Sequence, residues 1–475
     1  MAKAPTTRND ADIRSMHAAF ALVLTLLVAL PRLGCSQPPE QLAEQLSEYA
    51  TEGVRTRLVV TNPRPSVSRP LVDSRRPPAP VAEVGSFDQW MAGFQQRARM
   101  AGISEQTLSA ALNGLAPNPK VLALDHRQSE YNQTFFTYLR NNISAQRIQR
   151  GRALLAQHAD LLMRLENRYG VPKETLVALW AMESDFGRNT GDFSVIRSLA
   201  TLAHAGRRRD FFEAELMAAL RIIDQGLATP AQLRGSWAGA MGQPQFMPTT
   251  YLDYATDADG DGRADIWGST ADTLGSAANY LWSIGWQPDR TWGREVRLPN
   301  DFDYYDARLS NVLPLERWAA MGVTRANGEP LPRAPVQGAV LLPAGKDGPA
   351  FLIYDNFHAI TDWNRSLHYA LTVCHLSDRV AGAGPLIGQP PPGDQALARA
   401  DVLAMQQGLN ALGYDAGTPD GMVGFQTRHA VRDFQQRAGL PADAYPTPAL
   451  IARIDAAARP AVEPRVPGPS GGSAP

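Results

Sequence analysis

Residues 171–187 read VPKETLVALWAMESDFG, and the character of the chain turns on them. A proline in the first turn, a run of strong helix formers and a closing glycine, Gly187, predict a helix. Leu176, Leu179, Trp180 and Glu183 fall at i, i+3, i+4 and i+7, which sets the glutamate on the helix's apolar stripe near its C-terminal end. A carboxyl there loses part of its water, and the negative end of the helix dipole lies beside it. Both effects disfavour ionisation and raise the pKa. Such an acid keeps its proton near neutral pH, as cleavage of a glycosidic bond asks of its general acid. Spacing alone favours a plainer reading, a glutamate at the rim of a core helix bonded to backbone or to an arginine. Asp185 offers no local second carboxylate, because two residues along a helix turn it about 200° away from Glu183.

Outward from this helix, residues 87–379 carry further amphipathic patterns, such as Leu154, Leu155, Leu161, Leu162 and Leu165, broken by Gly and Pro. They predict a mainly α domain over residues 85–380. A proline- and glycine-rich linker over 381–395 separates it from a compact helical segment at 396–456, and a Pro, Gly and Ser tail at 457–475 is expected to be disordered. In the helical segment Leu403, Leu409 and Leu412 read as the core side of one helix, and Ala430, Val431 and Phe434 as that of another. Before the large domain, residues 36–84 include a proline- and arginine-rich run that predicts an extended tether.

With 46 basic against 47 acidic residues, nothing suggests general attraction to nucleic acid or anionic lipid, so binding must be local. The eight histidines show no H-E-x-x-H or comparable zinc spacing, which argues against a metalloprotease or zinc amidase. Cys35 and Cys374 are the only cysteines, and no disulfide framework is expected. Residues 1–35 read as an export signal: Arg8 and Arg14 precede an apolar run from Ala18 to Leu30 that is short for a membrane span. The run ends in Leu33, Gly34 and Cys35, loosely a lipoprotein signal, although Arg32 stands where leucine is usual. Two outcomes stay open, a lipid anchor to the outer membrane through Cys35 or simple cleavage; either places the protein in the periplasm.

The runs ALWAMESDFGRNTG, SLATLAHAGRRRDFF, GSWAGAMGQPQFMPTTYLDYATDADGDGRADIW and YDNFHAITDWNRSLHYALTV, in this order, closely resemble the catalytic domain of the membrane-bound lytic murein transglycosylase B family. The resemblance spans roughly residues 85–380. It implies a lysozyme-like, mostly helical fold in which Glu183 is the single catalytic carboxyl, cleaving the bond between N-acetylmuramic acid and N-acetylglucosamine without water to leave a 1,6-anhydro end. No catalytic cofactor is implied. It also implies substrate contacts from Ser184, from Gln243 and, by preference, Gln245 in GAMGQPQFMP, from the arginine pair Arg208 and Arg209, and from Tyr280, Asn364, Ser366 and Tyr369. Trp363 stands where relatives can carry tyrosine, and Gly206 replaces a larger residue. Two other functions stay open: a muramidase that uses water, and a noncatalytic wall-binding protein.

Asp257, Asp259 and Asp261 with Gly260 and Gly262 form D-x-D-G-D-G, whose alternate carboxylates suit calcium as in an EF-hand loop, although the twelfth position is Gly268 instead of glutamate. A solvated turn is the plain alternative. The family resemblance supplies a later closing ligand, Asp272, and leaves Arg263 to contribute its backbone carbonyl, giving a structural calcium site. Residues 398–454 resemble the three-helix peptidoglycan-binding domain attached to many wall hydrolases, with Asp420, Gln426 and Arg428 as loose candidates for wall contact. Peptidoglycan is therefore the expected partner, and a tethered module of this kind would concentrate the enzyme on the polymer.

Overall fold

The computed structural model describes residues 85–128, 133–205 and 208–459 of the 475-residue chain. The expected signal, Cys35, the N-terminal tether, Gly206 and nearly all of the tail lie outside them. Helices α1 (Phe87–Met100), α2 (Glu105–Leu112), α3 (Pro119–Gln128), α4 (Phe135–Asn142), α5 (Ala145–Gln157) and α6 (Ala159–Tyr169) lead to α7 (Lys173–Ser184). After it come β1 (Phe193–Ser194), α8 (Val195–Ala205), α9 (Arg209–Asp224), β2 (Arg234–Gly235), α10 (Pro248–Tyr254) and α11 (Thr270–Ser283). Serine and threonine set many of the starts: Ser86, Ser104, Thr134, Ser144 and Ser269 each accept a first-turn amide at the N-cap of α1, α2, α4, α5 and α11.

The next segment departs from the helical expectation. Strands β3 (Gly293–Arg297), β4 (Leu313–Pro314), β5 (Thr324–Arg325), β6 (Gln337–Leu341) and β7 (Ala350–Ile353), with α12 (Leu315–Ala320) between β4 and β5, build an antiparallel sheet of order β4-β6-β7-β3-β5. The sheet has a core of its own around Val340, Leu352 and fully buried Trp318. Helices α13 (Asp355–Trp363) and α14 (Leu367–Ala381) return to the helical part, and α15 (Arg399–Ala411), α16 (Phe425–Arg437) and α17 (Pro448–Ala458) form the C-terminal bundle.

Helix α7 is the axis of the molecule. It packs against α5, α6, α11 and α14, and Thr175 through Ala181 are all buried. The expected one-sided stripe is therefore absent: a helix with neighbours on every side is apolar all round. It also stops earlier than its sequence pattern suggests. Asp185 (φ 51°), Phe186 (φ 61°) and Gly187 (φ 77°) turn left-handed in succession, so Asp185 is a C-cap and the helical-wheel argument does not apply to it. At Gly187 a Cβ would stand 2.5 Å from Gln243 Oε1, so only glycine lets the following loop approach.

The C-terminal bundle has a compact core that keeps Leu409 as expected and takes Val402 and Met405 where the sequence reading put Leu403. Val402, Met405 and Leu409 are the fully buried side of α15, while Leu403 and Leu412 are only half-buried; Ala430, Val431 and Phe434 are buried as expected. Nor does the bundle hang on a free tether. Buried Arg432 donates to Ala307 O (2.5 Å), Arg428 to Pro343 O (3.3 Å), and Lys346 N to Asp443 Oδ2 (3.0 Å), while Glu295 accepts the linker amides of Ile387 (2.9 Å) and Gly388 (2.6 Å). These contacts seat the bundle on the sheet-bearing part of the molecule.

Candidate active site

Glu183 lies in the last turn of α7, half-buried, with α14 and the end of α13 facing it. Two donors converge on one of its oxygens: Trp363 Nε1 donates to Oε1 (2.8 Å), and the Tyr369 hydroxyl donates to the same Oε1. Oε2 is left for the proton. Burial pushes the acid up to about 7, against the opposing pull of the Tyr369 and Trp363 hydrogen bonds. No neighbouring charge is needed for this. Tyr369 is itself held well above its ordinary range by burial and by the Glu183 charge, so it stays a donor. Tyr138 on α4 is raised to about 12, first by burial and then by Glu183.

The donors are placed by local turns. Asn364 Oδ1 accepts from Ser366 N (3.0 Å), and Ser366 Oγ accepts from Tyr369 N (3.3 Å) as the N-cap of α14. Tyr369 thus enters one turn into a capped helix. Behind Trp363 stands an aromatic stack in which Tyr280 lies 5.1 Å from the Trp363 ring, 5.6 Å from Phe246 and 4.7 Å from Tyr254. Tyr138, Asn364, Ser366 and His368 also line one wall of a cavity of about 910 Å³, whose other wall is the C-terminal bundle through Asp420, Gln426 and Arg428; Glu183, Trp363 and Tyr369 are not among its lining residues. Burial and Arg428 lower His368 to about 3, so it is neutral there.

Other expected ligands are engaged within the protein. Buried Gln243 accepts from Trp180 Nε1 (2.8 Å) and donates to Trp267 O (3.0 Å), tying the Gly-rich loop to α7. Gln245, at φ 50°, donates its amide to Thr190 O and Gly242 O. Buried Ser184 donates to Trp180 O and accepts from Gly187 N, which fixes the helix end. Arg208 lies over the rings of Phe212 (4.9 Å) and Phe211 (5.5 Å), and Arg209 Nε donates to Ala203 O.

In the acidic loop, Asp257, Asp259, Asp261 and Asp272 bring a carboxylate oxygen each within 4.8 Å of one another. Asp272 is fully buried on α11 and receives Ala258 N and Asp265 N. Burial raises its pKa against those hydrogen bonds, and the Asp259 charge adds to the rise. The Arg263 amide donates to Asp261 Oδ1 (2.9 Å). An all-oxygen set of converging carboxylates is the donor chemistry of a hard divalent cation.

The large domain and the C-terminal bundle each match a known family. Residues 86–378 match the transglycosylase SLT domain, and residues 398–454 match the putative peptidoglycan binding domain. The chain belongs to the transglycosylase SLT domain family. SltB3 from Pseudomonas aeruginosa, solved in complex with NAG-anhNAM-pentapeptide, is 47% identical and covers 78% of this chain and 99% of its own, with a TM-score of 0.74. The Escherichia coli lytic transglycosylase SLT35, solved in complex with calcium, is 30% identical over 62% of this chain and 92% of its own, with a TM-score of 0.52. Membrane-bound lytic murein transglycosylase B of Escherichia coli (strain K12) is 33% identical over 256 residues, 53% of this chain and 68% of that protein.

This lytic transglycosylase therefore combines a lysozyme-like, mainly α catalytic part with a small helical peptidoglycan-binding part, and it acts on peptidoglycan. Sequence reasoning missed two of the residues around its acid. Trp363 was notable only as a departure from relatives, and Tyr138 lies outside the quoted blocks. Among the described residues, no helix is long and apolar enough to cross a membrane.

Proposed function

We propose that Glu183 carries both proton transfers of a non-hydrolytic cleavage. With its proton on Oε2, it protonates the glycosidic oxygen between N-acetylmuramic acid and N-acetylglucosamine as the C1–O bond breaks. The resulting carboxylate accepts the proton of the same muramic acid's C6 hydroxyl as O6 bonds to C1. The 1,6-anhydro ring closes, the acid is restored and no water is consumed. A positioned internal hydroxyl has an effective concentration of about 10⁵ M or more, so no protein nucleophile is required. The observation that carries this reading is the pair of donors on Oε1, which leaves one oxygen for the proton and orients it. Asp185, the nearest carboxylate in sequence, is turned out in a left-handed cap and paired with Arg147 and Arg188. The anhydro sugar in the SltB3 complex supports the same chemistry.

On this reading Tyr369, Asn364, Ser366, Arg208 and Arg209 line the glycan path, Tyr280 backs it, and Ser184, Gln243 and Gln245 shape it. Residues 85–380 form the catalytic domain and 396–456 the wall-binding domain, joined through 381–395. Asp257, Asp259, Asp261 and Asp272, with the Arg263 carbonyl, hold one structural calcium ion; the ion would neutralise crowded carboxylates and brace the loop before α11, outside the chemistry. The calcium complex of SLT35 supports that assignment. Residues 1–35 direct export to the periplasm, and Cys35 is either the lipid anchor to the outer membrane or lost with the signal.

The test is digestion of purified peptidoglycan followed by mass spectrometry of the muropeptides. Wild type should release 1,6-anhydro products, and folded Glu183→Gln should lose about two to four orders of magnitude in rate. Reducing muramic acid ends from the wild type would establish a hydrolase instead, and wall binding with no cleavage a noncatalytic protein.

A further inference from the structure

At the α7 terminus the chain gathers three guanidinium groups, two on the Asp185 carboxylate and one on the ring of the next residue, Phe186. Asp185 is paired with Arg188, and its other oxygen lies 3.5 Å from Arg147 Nη2. Arg150, one turn beyond Arg147 on α5, lies with its Cζ 5.5 Å from the centre of the Phe186 ring, and its Nε is buried with no hydrogen-bond partner. Among these groups positive charge outnumbers negative by three to one, far more than holding Asp185 requires. The cluster is reachable from solvent, since the Arg188 side chain is 50% exposed and that of Arg147 22%.

Its position is tied to the active site by a short chain of bonds. Arg147 Nη1 donates to Asn142 O (2.7 Å), and Asn142 Nδ2 donates to the carbonyl of Tyr138 (2.9 Å), whose hydroxyl lies within reach of the Glu183 charge. Asp185 follows Glu183 by two residues, so their Cα atoms are at most about 7 Å apart. Resting on the reading that Glu183 acts at the muramic acid C1–O bond, we propose that Arg147, Arg150 and Arg188 form a subsite for a carboxylate of the stem peptide carried by that sugar. The peptide leaves the same ring through the lactyl arm at C3, and two extended residues reach about 7 Å, the scale of this separation. Arginine's planar fork suits a carboxylate, and Asp185 holds two of the forks in place before the substrate arrives.

The experiment compares full-length wild type, Arg150→Ala, Arg150→Lys and Arg188→Ala on glycan strands bearing stem peptides and on the same strands stripped of peptide by an amidase. Circular dichroism establishes that each variant is folded. Wild type should favour the peptide-bearing strands in kcat/KM. In Arg150→Ala and Arg188→Ala that preference should fall about tenfold through KM, the size of one lost charge-assisted hydrogen bond. Arg150→Lys, which keeps the charge, should recover part of it, and high salt should erase the preference in wild type. Equal kcat/KM of wild type on both strand types, or an unchanged preference in both alanine variants, overturns the subsite. If wild type instead releases no anhydro products from either strand, the proposed reaction fails, an outcome distinct from loss of preference.

Discussion

Replacing Glu183 with glutamine should make the protein more stable while removing its activity, and the gain should grow with pH. Burial raises the carboxyl from 4.5 to about 7 in the folded state. The folded protein therefore favours the protonated form, so the stability of this site is fully present below the unfolded pKa and is lost as pH rises through about 7. At about 1.4 kcal/mol per pH unit, the folded wild type carries a penalty of about 3 kcal/mol at pH 8 and below about 1 kcal/mol at pH 5. Glutamine keeps a carbonyl oxygen for Trp363 and Tyr369 and cannot ionise, so it escapes the penalty. Urea unfolding of both proteins at pH 5, 6.5 and 8 measures the difference directly. A stability difference that stays flat with pH, or a less stable glutamine variant at pH 8, would refute the reasoning and mean that the folded site stabilises a carboxylate.

Trp363→Phe should keep the stack with Tyr280 but remove one donor from Oε1; losing about 1.5–3 kcal/mol of preference for the charged form moves the alkaline limb of kcat/KM upward by one to two pH units. An unmoved limb would show that Trp363 does not hold the acid. Calcium at a hundredfold excess over its Kd should stabilise the fold by about 2.7 kcal/mol. Asp259→Ala should abolish the rise in thermal midpoint, and calorimetry without a binding signal would leave the loop a plain turn. A protein ending at Gly382 should lose wall binding and also cleave short soluble glycans more slowly, since the bundle faces Asn364 and Ser366, which set the start of the helix carrying Tyr369. Undiminished turnover of soluble fragments would show that the bundle only tethers.

The acid and its helix were legible because helix formers, a proline start and a glycine stop act locally. Trp363 and Tyr369 reach Glu183 from 180 and 186 residues away, a meeting that no spacing in one sequence announces. The sheet was missed for another reason. Strand β7, AFLI, is buried at every residue and β6 nearly so, and such short apolar runs look the same as pieces of buried helix. The seating of the bundle was hidden as well, because Arg432 and Arg428 bond to the carbonyls of Ala307 and Pro343, acceptors that every residue possesses. A proline- and glycine-rich linker predicts freedom only where nothing binds it, and here Glu295 holds two of its amides.

Ending α7 in three left-handed residues lets two carboxyls two positions apart take different surroundings. Had the helix continued through Asp185, that carboxylate would lie on the opposite side of a buried helix, among the apolar neighbours that surround Ala178 and Ala181. The turn instead carries Asp185 outward to Arg147 and Arg188, which cancel its charge locally. A bare carboxylate so close would push Glu183 upward by repulsion, and salt would then screen the shift. Because burial sets the shift, the acid's pKa should be insensitive to ionic strength, whereas attraction of an anionic peptide to the arginines should not. The two functions of this helix end are thus separable in one protein by salt alone, before any residue is changed.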